Sequence, residues 1–217
     1  MRIACLSDTH ADSLPHIDDC DVVFHTGDFL CHSHPGFYNF RKEVAYVNKI
    51  LAPWCDKILR HKELWIVCGN HDYLFQNDFH LLPEVIKERT LINRAVGYKG
   101  VKIYGTPFQP YYGGWAFNKQ DIPDSLGQIY SLIPEDTDIL LTHCPPYGIL
   151  DQNKEGEHCG SRMLAARIAN ISPKFHCYGH IHHSRGTKRI GNTTFVNGSV
   201  LDDNYILRNK PILLEYT

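Results

Sequence analysis

Short apolar runs alternate along this chain with stretches of helical periodicity. Ile3–Leu6, Val22–His25, Leu64–Cys68, Val101–Tyr104, Ile139–Thr142 and Phe175–Tyr178 read as buried strands, each too short for a helix. Between Gly36 and Leu59 the apolar residues Phe37, Phe40, Val44, Val47, Ile50, Leu51, Trp54 and Ile58 recur at three- and four-residue steps. That spacing predicts an amphipathic helix packed on a sheet, which Pro53 must kink or divide. Ser161–Ile168 and Asp124–Leu132 are further helix candidates. Thr187–Ile190 and Thr193–Val196 flank Gly191-Asn192, a two-residue hairpin signal, and Ile212–Tyr216 supplies a last strand. Strands alternating with helices, then a hairpin-rich end, predict an α/β layered fold. With no repeat, linker or low-complexity segment, residues 1–217 are expected to form one domain.

Polar motifs follow these apolar runs in a fixed order: Asp8-Thr9-His10, Gly27-Asp28, Gly69-Asn70-His71-Asp72, Thr142-His143 and Gly179-His180-Ile181-His182. In open α/β sheets, sites gather at the carboxyl ends of strands, so segments distant in sequence converge on one crevice. Each motif alone has a plain reading as a turn or a helix cap. Taken together, their carboxylates, amide and imidazoles are the ligand stock for two adjacent metal ions, the equipment of phosphate-ester hydrolysis. Asp8 and His10 share a face if the backbone is extended, as do His180 and His182, and His183 is expected to face solvent. The Asp28 carboxylate has two oxygens and can bridge two ions.

Composition narrows the class. Apolar residues make up 43% and charged residues 21%, ordinary globular values. A net charge of -2 offers no general attraction to nucleic acid or to an anionic membrane. Fourteen His exceed structural need and strengthen the metal reading. The eight Cys include no C-x-x-C pair and read as reduced thiols. The start MRIACLSDTH reaches a polar loop after six residues without a signal-type apolar region, and no run is long enough to span a membrane. A cytoplasmic protein with no membrane partner is expected. The sequence assigns no oligomeric state.

Together the motifs resemble the calcineurin-like metallophosphoesterase superfamily, whose pattern is D-x-H, G-D, G-N-H-[DE], H and G-H-x-H. The stretches Val23–Phe29, Lys102–Pro110, Gly114–Asn118, Thr137–Pro146 and Asn197–Ser199 are similar to its metallophosphoesterase-domain branch of phosphodiesterases. The resemblance implies a four-layer αββα double β-sandwich. It implies one ion held by Asp8, His10, Asp28 and His182, and another held by Asp28, Asn70, His143 and His180. Many members carry an acidic residue where this chain has Cys31; some relatives lack a His of G-H-x-H and are weakened catalysts, whereas this chain keeps both.

The implied reaction is in-line attack of a metal-activated hydroxide on phosphorus. His71 would stabilise charge or protonate the leaving oxygen, with Asp72 either orienting it or capping a helix. The oxygen and imidazole donors suit manganese, iron or zinc, with manganese expected in vitro. Gln109, Tyr112 and Trp115, with Tyr111 and Asn118, lie in a Gly-Pro-rich loop and are expected beside Asn70 and His71 as substrate contacts, able to stack on a base, a surface loop with its own small hydrophobic cluster being the equal alternative. His158–Ser161 offers a helix start that could meet a phosphate, an ordinary helix start being the simpler reading. The expected substrate is a small phosphodiester such as a cyclic or linear nucleotide. A nuclease or nucleotide phosphatase is the alternative enzyme, polymeric nucleic acid being the less favoured partner. A non-catalytic nucleotide-binding scaffold is the alternative of a different class.

Overall fold

A computed structural model describes residues 1–11 and 14–217. Its strands are β1 (Arg2–Leu6), β2 (Val22–His25), β3 (Glu63–Ile66), β4 (Arg94–Tyr98), β5 (Val101–Thr106), β6 (Gln109–Pro110), β7 (Asn118–Lys119), β8 (Ile139–Thr142), β9 (Phe175–Tyr178), β10 (Gly186–Ile190), β11 (Thr193–Asn197) and β12 (Ile212–Glu215). The α-helices are α1 (Phe40–Tyr46), α2 (Ala52–Leu59), α3 (Tyr73–Asn77), α4 (Glu84–Arg89), α5 (Gln128–Ser131) and α6 (Arg162–Ile171). One sheet runs β12-β1-β2-β3, a second runs β10-β11-β9-β8-β5-β4, and β6 pairs with β7.

Alternation along the strands builds the layers. On β1, Ile3 and Cys5 face the second sheet and meet Ile103, Leu141 and Cys177 in the core between the sheets. Ala4 and Leu6 face the other way, onto Leu51, Cys55, Leu74 and Ile86 of the first helical layer. The outer face of the second sheet (Tyr104, Leu140, Tyr178) packs on Tyr130, Leu164 and Ile168. The order is helices, sheet, sheet, helices, the expected double β-sandwich.

β1, β2 and β3 are parallel, and so are β5, β8, β9 and β11. Their carboxyl ends therefore share one edge. The sheets are stitched there: Ser7 and Ser199 form a parallel bridge, with Ser7 N–H on the Gly198 carbonyl at 3.0 Å and Val200 N–H on the Ser7 carbonyl at 3.0 Å.

Pro53 does not break the long helix. A wide turn over Val47–Leu51 joins α1 to α2, with the Ala52 N–H bonded to the carbonyl of Val47 five residues back, and Pro53 falls in the first turn of α2, where its missing N–H costs least. The 191–192 hairpin forms, and Gly191 carries the positive φ (57°) that a type II′ turn places first. β4 was not signalled by the sequence. Its residues are half-exposed, and its hairpin turns on Lys99 and Gly100, both at positive φ (49° and 78°). Lys in such a place is an uncommon turn signal.

Candidate metal centre

Each motif occupies the first residues beyond a strand. Three of them use left-handed backbone on residues other than Gly: Asp8 (φ 59°) and His10 (44°) in the first, Asp28 (56°) in the second and His180 (70°) in the last. Such strain persists only where the surroundings fix it, and it clusters at functional sites. The expected extended backbone for Asp8–His10 is therefore corrected. Left-handed turns, not a shared strand face, bring those side chains together.

The surrounding fixation is visible. Asp8 lies fully buried and accepts from the Ser199 hydroxyl at 2.7 Å and the His180 N–H at 3.0 Å. Asn197 Oδ1 in turn accepts from that hydroxyl at 2.8 Å. A Cβ at Gly179 would stand 2.2 Å from Asp8 Oδ2, and one at Gly27 would stand 2.6 Å from His143 Nδ1. These two glycines let the loops approach so closely.

Asp72 takes neither expected role. It gives α3 no side-chain cap. Its buried carboxylate accepts from the N–H groups of Asp28 (2.9 Å), Phe29 (2.9 Å), Leu30 (3.0 Å) and Gly69 (2.7 Å). It ties the Gly27-Asp28 turn to the Gly69-Asn70 turn instead of orienting the His71 ring. Burial raises its pKa to about 8 and the neighbouring Asp28 adds to that, while the N–H donors favour the ionised form.

Three clusters emerge in which donor atoms lie within 4.8 Å of one another: Asp8, His10 and His182; His10, Asp28 and His71; Asp28, His143 and His180. Asp28 Oδ2 stands 3.5 Å from His10 Nε2 and 3.3 Å from His143 Nε2. His182 Nε2 is 3.5 Å from Asp8 Oδ1, and Asn70 Oδ1 is 3.1 Å from His143 Nε2. His143 Nδ1 faces the Thr26 carbonyl at 2.8 Å, and His182 Nδ1 faces the Asp202 carbonyl at 3.0 Å. A carbonyl only accepts, so both rings carry hydrogen on Nδ1 and turn Nε2 inward, the arrangement metal-bound imidazoles use.

The electrostatics fit cations. Burial opposes charge on Asp8 and Asp28, yet His182 and His143 outweigh it and hold both carboxylates below the usual range. Burial alone would depress His143 and His182, but Asp28 and Asp8 lift each to about 9. His10 and His180 follow burial down, to about 4 and about 3. Among the described residues no Lys or Arg lines this cavity, so positive charge opposite the carboxylates is carried by protons on imidazoles. Both ring nitrogens of His10 are buried without a hydrogen-bond partner. Divalent cations fit this donor set.

The cavity over these groups measures about 190 Å³, and Asn70, His71, Gln109, Tyr112 and Trp115 all line it. His71 packs against Trp115 with ring centres 4.3 Å apart and planes tilted by 45°. Its backbone N–H donates to Asp28 Oδ1 at 2.8 Å, and its Nε2 lies 4.0 Å from Asp28 Oδ2. Burial lowers the pKa of its ring. Sequence reasoning missed Tyr205, whose ring meets His10 at 4.9 Å and His182 at 5.2 Å; no motif marks it. Ser199 fell within the stretch Asn197–Ser199 that carried the resemblance, but sequence reasoning gave it no role at the site.

Three histidines outside the cavity have structural partners of their own. His25 and His176 are buried against Thr9 and Thr142, and burial lowers each to about 3. His183 is exposed and meets Asp203 at 2.9 Å. At the α6 start, Ser161 caps the helix by accepting from Leu164 N–H at 3.0 Å. Asp121 accepts from Arg162 N–H at 2.8 Å and Met163 N–H at 3.3 Å, so the chain's own carboxylate occupies the place of a phosphate.

The profile described as calcineurin-like phosphoesterase matches residues 1–184. The chain belongs to this family. Its members are metal-dependent phosphoester hydrolases, and the metal-suited clusters lie where the family motifs fall. The chain is similar to metallophosphoesterase domain-containing protein 1 of Homo sapiens, 32% identical over 99% of this chain and 70% of that protein. A UPF0046 protein of Caenorhabditis elegans is 28% identical over 98% of this chain and 74% of the relative. A solved structure at 15% identity superposes with a TM-score of 0.69 over 100% of this chain and 99% of the other, a likeness of fold. No helix among the described residues is long and apolar enough to cross a membrane.

Proposed function

We propose that this chain is a phosphodiesterase that hydrolyses a small phosphodiester, cyclic or linear nucleotides being candidates, at a two-metal centre. The observation that carries the proposal is Asp28, whose carboxylate faces imidazoles of two clusters, at 3.5 Å and 3.3 Å. Asp8, His10, Asp28 and His182 would hold one ion, and Asp28, Asn70, His143 and His180 the other. Manganese, iron or zinc suits the donors. Bound there, two divalent ions supply a hydroxide near neutral pH and polarise the phosphoryl oxygens.

The chain's own groups do the positioning. Ser199 and Asp72 fix the loops that carry Asp8 and Asp28. His71, at the cavity wall and against Trp115, would contact the phosphoryl or leaving oxygen. A lining without Lys or Arg favours a singly charged diester over a dianionic monoester, and offers no phosphate-tracking row for a polymer.

The test is metal content alongside hydrolysis of bis-p-nitrophenyl phosphate, p-nitrophenyl phosphate, 2′,3′- and 3′,5′-cyclic nucleotides and single-stranded nucleic acid with added manganese. Two metals per chain with diester turnover is the expected result. Turnover of monoesters alone would make the protein a phosphatase, and strong polymer preference a nuclease. Neither metal nor turnover would leave a non-catalytic scaffold.

A further inference from the structure

Beside the catalytic cavity, behind the ring of Trp115, lies a second cavity of about 540 Å³. The two share Trp115 and Asn118 as a common wall. The second is lined by Phe75, Phe79, Ile92, Phe108, Tyr111 and Phe117, with Gln76 and Lys119 as its further polar side chains. Phe79, Ile92 and Phe108 pack against the core and stay partly exposed. Tyr111 is 57% exposed. Apolar surface left open beside a polar site is where a ligand's apolar part is recognised.

The opposite flank differs. There a cavity of about 220 Å³ shares His180, His182 and Tyr205 with the catalytic one and is lined by Asn153, Lys154, Glu155, His183 and Asp203. An apolar arm of a substrate thus has one favourable direction, past Trp115.

We infer that the cavity behind Trp115 is a subsite for an apolar ester arm, making the preferred substrate a phosphodiester with an aryl or alkyl group on one side of phosphorus. This rests on the phosphoesterase reading of the adjacent site and names what that site selects. Trp115 couples the two: one face packs on His71, 4.3 Å between ring centres, so an arm seated against the ring would be placed next to the side chain nearest the reacting oxygens.

Binding tests the inference apart from turnover. Methylphosphonate, hexylphosphonate and phenylphosphonate are titrated calorimetrically into the manganese-loaded protein and into two variants. Ile92→Trp fills the subsite, and Tyr111→Ala removes an exposed wall that folding does not need. The hexyl and phenyl compounds should bind the unaltered protein at least about tenfold tighter than the methyl compound. That advantage should fall to within about twofold in Ile92→Trp, with methylphosphonate affinity unchanged there, and by about threefold in Tyr111→Ala. Equal affinity for all three in the unaltered protein overturns the inference, as does an apolar advantage that survives in both variants. If Ile92→Trp does not fold, the Tyr111→Ala titration decides. Failure of all three compounds to bind overturns the subsite, and if the loaded protein also turns over no phosphate ester the phosphoesterase reading falls with it.

Discussion

Within three residues, β1 passes from one kind of interior to another. Cys5 and Leu6 are fully buried among apolar side chains in relaxed strand geometry. Ser7 and Asp8 are as fully buried, but among carboxylates and imidazoles and, at Asp8, with left-handed backbone. The same change occurs from Phe24 to Asp28 and from Tyr178 to His180. Burial alone therefore does not distinguish core from site. In the core, burial is favourable in itself; at the edge it opposes every charge, and hydrogen bonds and opposite charges meet Asp8, Asp28, His143 and His182.

That contrast can be broken from either side. Asp28→Asn should reduce turnover by about a thousandfold or more and strip metal from both positions, read by metal analysis and steady-state kinetics, with little change in thermal midpoint. Leu141→Ala, in the core between the sheets, should do the reverse: about 2–5 kcal/mol of stability lost in denaturant unfolding, with turnover per folded molecule unchanged. His71→Ala should keep both metals and lower turnover by about 10²–10⁴. Loss of metal in that variant would make His71 a ligand, as its nearness to His10 and Asp28 allows. Ser199→Ala should weaken metal affinity by about 10–100-fold through Asp8 alone, and Ser199→Thr should restore part of it.

The smallest expected effect sharpens the comparison. Glu43 is a buried carboxyl in the helical layer, where no imidazole cluster faces it and Leu74 N–H donates to it at 2.9 Å. Burial lifts its pKa from 4.5 to about 7, opposite in direction to Asp8 and Asp28. An acid with a raised folded-state pKa favours the fold while protonated. Its contribution is complete below pH 4.5 and is lost as pH rises through about 7. Glu43→Gln should therefore stabilise the protein by about 1–2 kcal/mol at pH 8 and hardly at all at pH 4 in parallel urea melts.

The chemistry of the edge was legible because it is written in local motifs. Asp8, His10, Asp28, Asn70, His143, His180 and His182 each follow an apolar run, and parallel strands bring their ends together. The strands themselves were legible from short apolar runs. What escaped depends on long-range partners. Asp72 looks like a helix cap until the turn at 28–30 is seen across from it, and Tyr205 reaches His10 only through the return of the chain. β4 was hidden by half-exposure, and the passage through Pro53 by a wide turn that no periodicity announces.

The bridge between Ser7 and Ser199 sets the order of events in folding. Asp8 lies near one end of the chain, and the groups that hold it, His180 and Ser199, lie near the other. Closing so long a loop is entropically costly and contributes to slow assembly. Helices can form early, but the groups that hold Asp8 in place meet it only once the last third of the chain has returned to the first strand. A metal ion held by Asp8 would then be captured only by molecules whose two sheets have already met.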